Sequence, residues 1–143
     1  MAPSARQETG FSAEEQAAMK DRAAELKAPR SKKLSGEADL LEKISAMDPT
    51  EQKIAHRLHA LVTEHAPHLA PKTWYGMPAW AKDGKVICFF QAASKFKTRY
   101  STLGFDENAA LDDGNFWPTA YALTELTPEL EHKIVALITK AAA

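Results

Sequence analysis

The pair Asp83-Gly84 stands between Ala79-Trp80-Ala81-Lys82 and the apolar run Val86-Ile87-Cys88-Phe89-Phe90. Asp-Gly favours a two-residue turn with positive φ at both positions, and such a turn joins antiparallel neighbours. Residues 79–82 are therefore expected to pair with 85–92. Just upstream, Gly76 permits a positive φ that Tyr75 or Met77 would resist, and Pro78 holds Met77 extended. The chain is expected to bend at Gly76 and enter a strand at Ala79. The aromatic residues gather around this hairpin: eleven of the twelve lie between Trp74 and Tyr121. The core is accordingly sought after residue 36.

Downstream, Lys95, Lys97, Arg99 and Ser101 alternate with Phe96, Thr98 and Tyr100. That pattern predicts a third strand over 95–103, wet on one face and covered on the other. Residues 106–113 suggest a helical turn, and Trp117 to Leu123 a fourth strand. Three helices flank the sheet. Leu40, Leu41, Ile44 and Met47 cover one face of a short helix over 38–47. Asp48-Pro49-Thr50-Glu51 restarts the helix with a cap, an N1 proline and a reciprocal glutamate. Ile54, Leu58, Leu61 and Val62 recur at helical spacing before Pro67. Thr127-Pro128 opens the last helix, with Leu130, Ile134, Leu137, Ile138 and Ala141 on its inner face. This order predicts an α+β two-layer sandwich, a mainly antiparallel sheet with helices on one face.

Residues 1–36 read as an appended helical arm and basic linker, and 37–143 as the domain proper. Ser12 with Glu15 forms a capping box, so a helix is expected from there to about Ala28. Its Met19, Ala23 and Leu26 form a narrow stripe, and Glu14, Asp21 and Glu25 line the nearly opposite face. With so little to bury, this helix is expected to rest lightly on the core or sway free of it. The linker cations Lys27, Arg30, Lys32 and Lys33 suit either a solvated connection or a contact with an acidic partner.

Composition sets limits on function. With 45% hydrophobic and 26% charged residues the chain is globular in type. A net charge of −1 gives no electrostatic reason to expect duplex nucleic acid or an anionic membrane as partner. The single cysteine, Cys88, cannot form an internal disulfide, and the longest apolar run is five residues. With a polar N-terminus lacking the apolar centre of a signal peptide, these features predict a cytoplasmic protein without a membrane span.

No nucleotide loop, zinc-protease helix, cysteine pair or nucleophile elbow occurs. His56 and His59 fall on the outer face of the 49–65 helix with Gln52 and Thr63, where solvation accounts for them without a metal. Two carboxylate groups could hold a hard cation: Glu14, Asp21 and Glu25 on the arm, and Asp106, Glu107, Asp112 and Asp113 around a turn. A solubilising helix face and a loop have the same composition. Tyr75, Trp80, Tyr100 and Trp117 could wall a pocket for a small anion or an aromatic ligand, and core packing uses the same rings. Cys88, mid-strand, reads as an inert core thiol.

The segment "WYGMPAWAKDGKVICFFQAASKFKTRYSTLGF", followed by "YALTELTPELEHKIVALI", resembles the YdhG-like family. That bacterial domain of unknown function includes a proposed frataxin-like intracellular iron chaperone. The resemblance covers residues 37–143, with Tyr75-Gly76-Met77-Pro78 and the hairpin as its most specific part. It implies an α+β fold, weak binding of ferrous iron, and delivery to iron–sulfur cluster or haem assembly proteins by a non-enzymatic binding protein. Frataxin-like proteins gather carboxylates on the first helix of the sandwich; the matching helix here offers Glu51 and Glu64, so no ligand set carries over. Two alternatives accompany this reading: a ligand-binding or catalytic pocket walled by the four rings, and an interaction module using the basic linker.

Overall fold

A computed structural model describes residues 12–27 and 36–143. Its elements run α1 (Ala13–Lys27), α2 (Gly36–Ser45), α3 (Pro49–His65), β1 (Ala70–Trp74), β2 (Met77–Lys82), β3 (Lys85–Gln91), α4 (Ala93–Phe96), β4 (Ser101–Phe105), β5 (Ala120–Leu123) and α5 (Pro128–Ala141). The five strands form one antiparallel meander in the order β1-β2-β3-β4-β5. The α+β architecture with an antiparallel sheet and helices is thus as expected.

Pairing explains which residues enter the core. Trp80 opposes Cys88, Cys88 opposes Phe105, and Phe90 opposes Leu103, so these five share one face. They form a single buried cluster with Leu40 and Ile44 of α2, Leu58 and Val62 of α3, and Ile134 and Ile138 of α5. The register slips between Trp80 and Ala81, leaving Ile87 as an extra residue in β3. Such a bulge lets Ile87 and Cys88 both join the cluster, where strict alternation would turn one of them away. On the reverse face Ala79, Phe89, Gly104 and Ala120 stand in register. The Phe89 ring lies so close over Gly104 that a Cβ there would sit inside it.

Both hairpin turns are of the kind that needs two positive-φ residues. Asp83 and Gly84 have φ of 51° and 81°, as Asp-Gly predicts. Tyr75 and Gly76 have φ of 53° and 75°, between the paired residues Trp74 and Met77. The expected bend at Gly76 is therefore a second tight hairpin, and Tyr75 itself adopts the left-handed conformation. A first strand, Ala70–Trp74, precedes it; its Pro71 and polar composition hid it from the sequence pattern.

Three local expectations are corrected. Residues 95–103 are not a continuous strand: α4 ends in Lys97 at φ 56°, and β4 begins only at Ser101. Local bonds hold that turn, with Thr98 N donating to Ala93 O (3.0 Å) and Ala93 N to Ser101 Oγ (3.0 Å). Residues 106–113 form turns, not a helix, pinned by Ala110 N to Ala141 O at 3.0 Å. The last strand starts at Ala120 instead of Trp117.

The helix starts divide similarly. Ser12 and Glu15 form the expected reciprocal cap (2.9 and 3.1 Å), and Thr127 Oγ1 caps α5 through Leu130 N (3.2 Å). Asp48 precedes Pro49 but makes no side-chain cap. Glu51, expected to complete that cap, is buried and accepts from Ser94 N (3.0 Å) and Ser94 Oγ (2.6 Å). A carboxylate there satisfies the start of α4 across the interior. Among the described residues no helix is long and apolar enough to cross a membrane.

Candidate functional site

The connection from β4 to β5 is irregular yet anchored. Asp106 N donates to Ile87 O (3.0 Å), Ala109 N to Asp106 O (3.0 Å), and Ala109 and Leu111 are buried beneath it. On the outside, Asp106, Glu107, Asp112, Phe116 and Trp117 line an open depression of about 420 Å³. Trp117 is half-buried against the core, whereas Phe116 is 94% exposed and stands at the rim. Carboxylates beside aromatic faces suit a cation, through charge and through the ring quadrupole. Asp113 lies on the same connection, exposed and outside the lining.

The other acidic group sits differently from expectation. Glu14, Asp21 and Glu25 face the core, while Met19 (45%) and Leu26 (66%) are exposed. Glu14 pairs with Lys97 at 3.1 Å, and Asp21 with Lys95 at 3.2 Å and Lys43 at 3.8 Å. Glu25 accepts from the backbone amides of Tyr75 (3.2 Å) and Gly76 (3.1 Å). The arm docks by its charged stripe, because the core offers lysines and turn amides there. Of the linker cations, Arg30, Lys32 and Lys33 lie outside the described residues.

The four rings expected to wall one pocket are dispersed. Trp80 is fully buried in the helix–sheet interior. Tyr75, at the first hairpin turn, packs edge-on to Trp74 and beneath the Arg22 guanidinium. Tyr100 is exposed, with Arg99 stacked over it at 5.2 Å; the pair share a side that strict alternation would have separated. Trp117 lines the depression described above.

Helix packing opens a larger groove, of about 810 Å³, between α3 and the segment that leads into α5. Thr50, Lys53, His56 and Arg57 of α3 face Glu125 and Glu131 across it. Arg57 holds Glu131 through two bonds of 2.9 and 2.8 Å. That pairing raises the Arg57 pKa and lowers that of Glu131. Sequence reasoning missed this groove. The spacing of Thr50, Lys53 and Arg57 put them on one helix face, but only the fold brings Glu131 opposite.

Two further groups are structural. His59 is not a free outer-face ring: Nδ1 accepts from Trp80 Nε1 (3.1 Å) and Nε2 lies 2.7 Å from Glu37 Oε2. Burial pushes the Cys88 thiol up to about 12, which disfavours its thiolate. Among the described residues no three His, Cys, Asp or Glu side chains gather closely enough to chelate a metal together.

Comparison with protein-family models, with curated proteins and with solved structures finds no match for this chain.

Proposed function

We propose that this chain is a small cytoplasmic, non-enzymatic binding protein of the YdhG-like, frataxin-like type, and that it carries a cation at the Asp106–Thr119 depression. The observation supporting this reading is that Asp106, Glu107 and Asp112 line the same open depression as Trp117 and Phe116, although they do not gather closely enough to chelate a metal together. The arm carboxylates, the other acidic group, are taken up by lysines and turn amides. Ferrous iron is the cargo that the resemblance suggests, with iron–sulfur or haem assembly proteins as recipients. Hard cations take six or more oxygens, so carboxylates spread around an open depression, without joint chelation, would leave most of the shell to water. That suits carriage and release better than permanent retention.

Anaerobic titration with Fe²⁺, followed by amide resonances, tests the proposal. Selective paramagnetic broadening of residues 106–119 is expected. Uniform broadening, or broadening centred on α1, contradicts it.

A second reading, a small-molecule site, is favoured by the volume and mixed lining of the α3–α5 groove. It replaces the ring-walled pocket as the location for such a ligand. Thr50, Lys53 and His56 would bind polar groups over the apolar Ile54 and Leu126. Ligand-induced shifts confined to these residues would favour it over cation carriage.

A further inference from the structure

The seat of the arm has the features of an anion site. Tyr75 and Gly76 are consecutive residues with positive φ, and their amides both point at one carboxylate, Glu25. Successive amides in such a turn form a concave nest for anions. Lys43 and Lys95 flank it from α2 and α4 and hold Asp21 between them. Gly76 lies so close under Asp21 that a Cβ would meet its carboxylate. Lys97 extends the positive strip to Glu14. Three elements of the core thus supply donors to a row of carboxylates spaced i, i+7 and i+11 along one helix.

Beyond these ion pairs and the Arg22 guanidinium over Tyr75, the occupant buries little apolar surface. Ala18 is the only fully buried apolar residue described on α1, and Met19 and Leu26 face solvent. Lys43, Asp21 and Lys95 each retain a quarter to a third or more of their side-chain exposure. Ion pairs of that kind contribute little and fade with salt. Beside the nest, a depression of about 330 Å³ stays open with the arm in place, lined by Lys43, Gly76 and Lys95 together with Met77, Pro78 and Phe90. A ligand with the arm's charges and a larger apolar side chain would fill space that α1 leaves empty.

We propose that the nest of Tyr75 and Gly76, with Lys43 and Lys95, is a docking site for an acidic helix from a partner protein, and that α1 occupies it in cis until displaced. The partner carries carboxylates at i, i+7 and i+11. This site is separate from the Asp106–Thr119 depression, so either proposal can fail alone.

The test uses the full-length chain and a capped synthetic peptide with the sequence of residues 12–27, with binding followed through the Tyr75 and Gly76 amide resonances. A D21N/E25Q variant of the protein weakens the cis contact and is expected to bind the peptide at least about tenfold more tightly than the parent. A site occupied in cis for nine-tenths of the time loses that factor in apparent affinity. Adding K43Q and K95Q to that variant is expected to abolish binding. Failure of D21N/E25Q to bind, equal binding by the parent, or binding that survives loss of both lysines overturns the proposal. Should the variants not fold, raising salt from ~0.05 M to ~1 M on the parent serves instead. Shifts of the Tyr75 and Gly76 amides toward solvent-exposed values are then expected, and invariant shifts overturn it.

Discussion

Trp80 Nε1 donates to His59 Nδ1 across 3.1 Å, with the two rings 6.2 Å apart and inclined by 26°. Indole nitrogen can only donate, so Nδ1 must accept, and the His59 proton resides on Nε2, facing Glu37. The bond joins β2 of the sheet to α3. It also fixes one tautomer of a ring whose side chain is only 12% exposed.

Trp80→Phe keeps an aromatic ring but strands the His59 acceptor, and should cost about 1–2 kcal/mol in urea denaturation. Trp80→Ala, which empties a fully buried site, should cost about 3–5 kcal/mol. A double-mutant cycle with His59→Ala should recover most of the Trp80→Phe penalty as coupling. Strict additivity would show that the bond contributes nothing.

Glu51 and Ser94 make the second cross-element contact. The Glu51 carboxylate is 8% exposed and receives both donors of Ser94. Glu51→Ala should destabilise by about 1–3 kcal/mol, because it leaves the Ser94 amide unpaired at the start of α4. Ser94→Ala, which keeps the amide bond, should cost less. Hydrogen exchange at Ser94 should accelerate in Glu51→Ala before global unfolding; unchanged exchange there would contradict the assignment.

Cys88 gives a pH-dependent prediction. Its pKa is raised to about 12 in the fold by burial, from an ordinary value near 9. Below about pH 9 the thiol is protonated in both folded and unfolded chains, and this contribution to stability is fully present. Between about 9 and 12 only the unfolded chain loses the proton, so stability falls as pH rises. Denaturation midpoints should decline over that window and decline less in Cys88→Ala. Native-state alkylation should proceed at the rate of opening; rapid alkylation at neutral pH would contradict the burial.

What the sequence revealed follows physical range. Asp83-Gly84, Thr127-Pro128 and the periodic apolar rows of α3 and α5 act through neighbours within a turn or two, and each appears where expected. In α2 only Leu40 and Ile44 of the expected row are fully buried; Leu41 is 38% exposed and Met47 lies past the helix end at Ser45. The alternating Lys95, Lys97 and Arg99 misled, because α4 is held by Ala93, Thr98 and Ser101 bonds that alternation does not register. Tyr75 at positive φ was hidden because a bulky residue there is acceptable only once β1 pairs with β2. For the candidate site, the acidic composition of 106–113 was legible, but its union with Trp117 and Phe116 required the fold. The arm docks by its acidic stripe, which the sequence did not indicate, because Lys43, Lys95 and Lys97 converge only after folding. A stripe made of Met19, Ala23 and Leu26 was too thin to compete.

The proposed function places the cation in the depression and not on the arm. Anaerobic Fe²⁺ affinity of the parent should be compared with D106N/E107Q/D112N and with D21N/E25Q. At least about a tenfold loss, or ~1.4 kcal/mol, is expected in the first variant, and little change in the second. Retained affinity in D106N/E107Q/D112N, or a loss confined to D21N/E25Q, would contradict it.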